Sequence, residues 1–345
     1  MDTFSTHMRT HCVGRYLIDL SEDMGSPRLA YSTFYFGLDA DFKKVEVQMP
    51  ERELIDHDRF SVLVTQRRNE LRDNKNEEMK IPLLLAEEIV PTPNGEGLLL
   101  RYLENRNFNI SDIDSELHVY VRGVYLVLRA SSFVPGNPFR IQGDHYKAID
   151  PVPSENRLKH FAQHLTGTEN PGTAGPGFCI GNVLFPQPAI GYDEEKATFT
   201  FRKKWGESVS LNLDVSMGGK YGYERTSLFE LWDRGLREMS NFEDPMVRQL
   251  YRRERTLEGG VFQEAALQAY WSRSRKADFK FHLQNLRPEE EAKLAFERPA
   301  ISVQLETDSP EKGTESVPYR QDDLQRAWNQ WVGSLRLSPG NGGAR

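Results

Sequence analysis

Histidines four residues apart on one helix face can share a metal ion, and His160-Phe161-Ala162-Gln163-His164 carries that spacing. The segment lacks the glutamate of a His-Glu-x-x-His site. At ~100° per residue, Leu158, Phe161, Ala162 and Leu165 form the apolar stripe, which leaves both histidines on the wet side. The pair therefore reads as a solvated polar face, and no metal is expected. His57 stands among Glu53, Asp56 and Asp58, but no nucleophile accompanies it, and acids on the approach to a helix complement its dipole. Glu289-Glu290-Glu291 after Pro288 fits a helix start in the same way. Arg252-Arg253-Glu254-Arg255 reads as a solvated helix face.

The motifs of the common enzyme classes are missing. A Gly-x-Ser-x-Gly elbow would hold an exposed nucleophile in a tight turn, and Gly206-Glu207-Ser208-Val209-Ser210 ends on the wrong residue. Met217-Gly218-Gly219-Lys220-Tyr221 has neither the spacing nor the hydroxyl of a phosphate-cradling loop. No Gly-x-Gly-x-x-Gly opens a helix after a strand. No catalytic residue and no cofactor is expected. Two cysteines, Cys12 and Cys179, cannot build a thiolate cage for zinc. They either bridge each other in an oxidising compartment or sit as buried thiols; burial is the default for a residue that packs as a small hydrophobe.

One segment points to recognition rather than chemistry. Ser131 to Arg140 follows a strand, loses periodicity, and holds Phe133, Phe139 and Arg140 on a loop fixed by Pro135, Gly136 and Pro138. Aromatic and arginine side chains on a rigid loop are the residue types of binding hot spots. The competing reading tucks both phenylalanines back beneath the loop.

The elements that must position these residues come from a chain of 345 residues with 38% apolar and 28% charged content, enough for about two domains. Its 44 basic and 51 acidic residues leave a net charge of −7, which argues against nucleic acid as a partner. No apolar run approaches the ~20 residues of a membrane span. A domain-sized repeat organises the sequence. Cys12-Val13-Gly14-Arg15-Tyr16-Leu17 and Cys179-Ile180-Gly181-Asn182-Val183-Leu184 share Cys, β-branched, Gly and Leu positions. Strand-like Ser32–Gly37 and Phe42–Met49 follow the first, and Ala197–Arg202 and Val209–Met217 follow the second. Helical patterns come next at Asp58–Arg72 and Thr226–Met239, with Thr226 or Ser227 as N-cap and Glu230 placed for a capping box. Further strands are expected at Lys80–Val90, Gly97–Leu103 and one long Leu117–Ala130, then at Leu257–Ala265, Asp278–Leu286 and Ala300–Glu306. Each copy closes with a helix from Ser154 or Asp322, and Phe161 and Trp328 both lie 149 positions past their cysteine. The expected fold is α+β: two similar tandem domains, each a mostly antiparallel sheet packed with helices. The expected boundaries are 1–167 and 178–338, with a linker at 168–177 and a frayed tail at 339–345. Trp232, Trp328 and Trp331 are expected in the core.

With these segments in view, the chain resembles the immunity proteins that protect bacteria from phospholipase effectors of the type VI secretion system. The resemblance rests on His11 to Leu20, on Gly177-Phe178-Cys179-Ile180-Gly181-Asn182, and on the tryptophan-bearing closing helix Asp322 to Leu335 followed by Arg336-Leu337. It spans nearly the whole chain in two parts. It implies a non-enzymatic inhibitor in the periplasm that forms a 1:1 heterodimer with a lipase-type toxin and grips it so that its lid cannot open. Met1 to Arg9 shows no export signal, so the expectation is a chain that begins after a cleaved leader. Two other readings compete: a hydrolase of unrecognised class with a site between the two lobes, and a chaperone or lipid carrier, which would need an apolar cavity.

Overall fold

The structure, a computed structural model, describes residues 4–37, 43–76, 80–103, 112–133, 151–169, 177–203, 209–217, 227–239, 246–258, 260–271, 276–285, 299–307 and 320–339. The first copy runs β1 (Met8–Gly14), β2 (Tyr16–Ser21), β3 (Arg28–Tyr35), β4 (Lys44–Gln48), α1 (His57–Asp73), β5 (Leu84–Thr92), β6 (Gly95–Leu103), β7 (Asp112–Val121), β8 (Val124–Phe133), α2 (Pro151–Gln163) and β9 (Thr166–Gly167). The second runs β10 (Phe178–Ile180), β11 (Val183–Phe185), α3 (Gln187–Ile190), β12 (Glu194–Arg202), β13 (Val209–Met217), α4 (Leu228–Met239), β14 (Met246–Leu257), β15 (Gly260–Trp271), β16 (Lys276–Asn285), β17 (Ala300–Thr307), α5 (Gln321–Gly333) and β18 (Arg336–Leu337).

The repeat is written in the strand order. Six strands of the first copy are ordered β3-β4-β8-β7-β6-β5 and six of the second β12-β13-β17-β16-β15-β14, so each copy lays out its strands in the same sequence. The chain divides into two compact bodies. The first-copy body comprises Tyr31–Glu169 and Asn182–Glu195; the second-copy body comprises Met1–Ala30, Asn170–Gly181 and Lys196–Arg345. This division differs from the expected cut at 1–167 and 178–338, and strand pairing is the reason. The closing strand β18 pairs with β2, Arg336 opposite Leu17, inside the second-copy body. The closing strand β9 pairs with β11, Thr166 opposite Leu184, inside the first-copy body. Each copy thus closes on the opening hairpin of the other copy's sequence.

Local chemistry explains the elements. In α1 the carboxylate of Asp56 accepts from the Arg59 N–H at 2.7 Å, and Phe60, Val64 and Leu71 face inward. In α4 the Ser227 hydroxyl accepts from the Phe229 N–H at 3.2 Å. The expected single strand Leu117–Ala130 is two strands, β7 and β8, with Val121 paired to Val124. Arg122 (φ 46°) and Gly123 (φ 86°) both take left-handed conformations, the backbone of a two-residue hairpin turn. The Arg252–Arg255 run, expected on a helix, lies in β14, an edge strand whose partner β15 begins at Gly260. Its alternation is hidden by charge, because the face of β14 that carries Tyr251 and Arg253 meets a buried carboxylate and not an apolar core.

Helices lie on both faces of each copy's six-strand set. In the first-copy body Phe60 and Val64 of α1 pack on Tyr125 and Val127. Leu158, Phe161 and Ala162 of α2 are buried, with Phe161 in an aromatic group with Phe34 and Phe185. In the second-copy body Leu228 and Trp232 of α4 pack on Ala265, and Trp328 of α5 lies 5.7 Å from Phe281. Trp232, Trp328 and Trp331 are buried as expected; Trp205 and the side chain of Trp271 lie outside the described residues.

Candidate functional site

The groups closest to a reactive centre are four buried polar clusters, and each ties one long helix to its sheet. Arg67 on α1 sends Nε and Nη2 to the two carboxylate oxygens of Glu116 on β7, both at 3.0 Å. The Tyr102 hydroxyl also donates to Glu116, and His118 Nε2 lies 3.6 Å from it. Burial by itself would raise the Glu116 carboxyl. The nearby His118 ring, the Arg67 hydrogen bonds and charge, and the Tyr102 hydroxyl outweigh it and hold the group at about 2. On the sheet's other side Arg101 forks onto Glu155 of α2 at 2.7 and 2.6 Å, and the Ser115 hydroxyl donates to the same carboxylate.

The second-copy body uses the same plan with other residues. Glu264 on β15 is fully buried. It accepts from Arg253 Nε at 2.8 Å, Arg253 Nη2 at 3.1 Å, the Tyr251 hydroxyl at 2.8 Å and Trp328 Nε1 of α5 at 2.7 Å. Burial opposes ionisation here too, and the donors outweigh it, so the carboxyl lies below its ordinary range. Trp232 of α4 donates Nε1–H to His282 Nδ1 at 3.3 Å, and His282 Nε2 meets Ser302 Oγ at 2.7 Å.

The serine–histidine contact has the shape of a hydrolytic dyad and the wrong polarity. Indole N–H is a donor only, so Nδ1 must be the acceptor and the proton sits on Nε2, facing Ser302. A general base needs a free Nε2 and a carboxylate behind Nδ1. Burial, then the Lys280 charge, push His282 down to about 3, which keeps it neutral but aimed the wrong way. Among the described residues no group of three or more His, Cys, Asp or Glu side chains is placed to hold a metal.

The sequence candidates separate in space. His160 and His164 have ring centroids 4.4 Å apart on α2, and the His164 ring bonds the His160 carbonyl at 2.8 Å. His57 is exposed at the start of α1 and lines a cleft of about 290 Å³ with Phe60, Ser61, Ile89 and Glu96. Ser61 donates to the His57 carbonyl at 2.9 Å, so its hydroxyl serves the helix backbone. Ile89 is 64% exposed beside the cleft, and Val62 on the outward face of α1 is 56% exposed. Phe133 ends β8, while its side chain, Phe139, Arg140 and Glu289–Glu291 lie outside the described residues. Cys12 and Cys179 are disulfide-bonded, with Cα atoms 5.8 Å apart.

Sequence reasoning missed the buried ions. A signal existed: Arg67 shares the stripe of Phe60, Val64 and Leu71, and Glu155 shares that of Leu158 and Ala162. Charged residues on apolar stripes have partners waiting on the sheet. Among the described residues no helix is long and apolar enough to cross a membrane.

The chain is a duplicated α+β architecture in which the Glu116, Glu155 and Glu264 clusters each tie a helix to its strands. Two family models match the chain: the Tle cognate immunity protein 4 N-terminal domain over residues 9–138 and the C-terminal domain over residues 173–340. The chain belongs to the Tle cognate immunity protein 4 family. Solved structures share its fold. The apo structure of immunity protein TplEi of the T6SS from Pseudomonas aeruginosa aligns with a TM-score of 0.62 at 16% identity, covering 97% of this chain and 98% of that one. A chain in the crystal structure of a Tle4–Tli4 complex aligns with a TM-score of 0.63 at 17% identity, covering 97% and 99%. TplEi complexed with an "L" peptide gives 0.59 at 16% identity, covering 97% and 99%. No curated protein sequence matches.

Proposed function

We propose that this chain neutralises a phospholipase effector of the type VI secretion system by binding it, without catalysis, in the periplasm. The carrying observation is that the N- and C-terminal domains of one immunity family both match, in order, on a single chain. The inverted His282–Ser302 contact supports a non-enzymatic reading, since the nearest thing to a dyad cannot take the serine proton. Two bodies on one chain make the second engagement intramolecular, which deepens affinity without new chemistry. A 1:1 heterodimer follows, burying roughly 2,000 Å² or more with a dissociation constant around nanomolar or tighter. The grip holds the effector's lid shut or covers its active site.

The test is co-purification with the lipase encoded at the neighbouring locus, followed by titration of its phospholipase activity. Stoichiometric loss of activity is expected, and no complex at micromolar concentration would overturn the reading. Phe133, Phe139 and Arg140 are proposed as contacts. Arg140→Ala is expected to weaken binding by about 30-fold, the cost of a hot-spot truncation, with no change in the unfolding midpoint.

A further inference from the structure

The opening hairpin β1–β2 is tied to the end of the chain. Its attachments are β18, the Asp19–Arg336 fork at 3.0 and 3.1 Å, the Trp331 indole on Ser21 at 3.2 Å, and the Tyr16 hydroxyl on the Pro299 carbonyl at 2.6 Å. Its other edge meets β10, where Val13 lies opposite Ile180. The same register sets Gly14 opposite Cys179, and Cys12, two residues from Gly14 on the same face of β1, lies diagonally across from Cys179. Their Cα separation of 5.8 Å lies within the usual disulfide range, and both side chains are 0% exposed.

We propose that Cys12–Cys179 is a redox clasp that fastens the opening hairpin into the second-copy body and must be made in an oxidising compartment. One cysteine thiolate attacks the disulfide of a protein thiol–disulfide oxidase, giving a mixed disulfide and releasing one oxidase thiol. The second cysteine attacks the mixed disulfide and releases the other. Two electrons and two protons pass to the oxidase, and both cysteines are oxidised. Because folding buries both sulfurs, the exchange happens before the hairpin docks, and the finished bond is shielded from reductants. The bond closes a loop between residues 167 positions apart, a crosslink that restricts the unfolded chain strongly. The proposal sharpens the periplasmic reading given above but is measured without the effector, so either can fail alone.

The full chain is purified from the periplasm, alkylated after denaturation with and without prior reduction, and weighed by mass spectrometry. Unreduced protein is expected to take up no label and reduced protein two; two labels without reduction would overturn the proposal. The second measurement compares the chain with its Cys12→Ala/Cys179→Ala variant. The variant is expected to unfold about 5–10 °C lower and to exchange amide hydrogens faster in residues 8–21 and 336–337. An unchanged midpoint and unchanged exchange in those segments would equally overturn it. Should the variant not fold, reduction of the wild-type chain in mild denaturant must produce the same local exchange.

Discussion

Glu264 shows how a fully buried charge is satisfied. Three side chains donate to it, and one of them, Trp328, belongs to the helix that seals the sheet. Glu264→Leu would leave the Trp328 indole and the Tyr251 hydroxyl short of an acceptor, and a loss of about 2–4 kcal/mol is expected by urea denaturation. His282 gives a pH signature. Its folded-state value of about 3 lies below the ordinary 6.5, so between those limits the unfolded chain holds the extra proton and stability falls as pH falls. Stability from this group is complete above about pH 6.5 and drops by about 1.4 kcal/mol per pH unit between roughly 6 and 4. His282→Gln should remove that one-proton slope, read from denaturation midpoints at several pH values. The depressed Glu116 carboxyl acts lower down. Its contribution is present above its ordinary 4.5 and is lost as pH falls towards about 2.

Elements record the duplication more plainly than single residues do. The opening motif of each copy is a strand ending in a glycine turn, with Gly14 at φ 69° and Gly181 at φ 55°. Their surroundings differ. A Cβ on Gly14 would sit 2.9 Å from Val215 Cγ1, whereas one on Gly181 meets no described atom within 4 Å. Gly14→Ala is therefore expected to cost about 2–4 kcal/mol, backbone strain plus overpacking, and Gly181→Ala about 1 kcal/mol for the backbone alone. Thermal unfolding of the two variants side by side checks the difference. The helices were legible because their apolar stripes repeat at 3.6 residues. The turn at Arg122-Gly123 was not, because valines on both sides continue the strand pattern through it. The β14 edge was missed for another reason: Arg253, on the face that meets Glu264, reads as polar although its partner is buried.

At the scale of the molecule, the compact bodies and the sequence copies are different things. Deleting residues 1–24 removes the partner of β18 and the cover of Trp331, so hydrogen-exchange protection should be lost in α5 and β18 and kept in α1, β6, β7 and β8. Equal loss everywhere, or none, would contradict the division into bodies. The amino-acid sequence alone determined the duplication, the α+β class, the principal helices and the family, because these depend on periodicity and on motifs that are local in the chain. It also excluded the common enzyme motifs. Only the tertiary structure decided which copy each opening hairpin serves, that Cys12 meets Cys179, and that Glu116, Glu264 and His282 are interior. Those outcomes rest on strand pairing and helix cover between residues far apart in sequence, and a polar position in an alternating strand reads the same whether water or a helix lies above it.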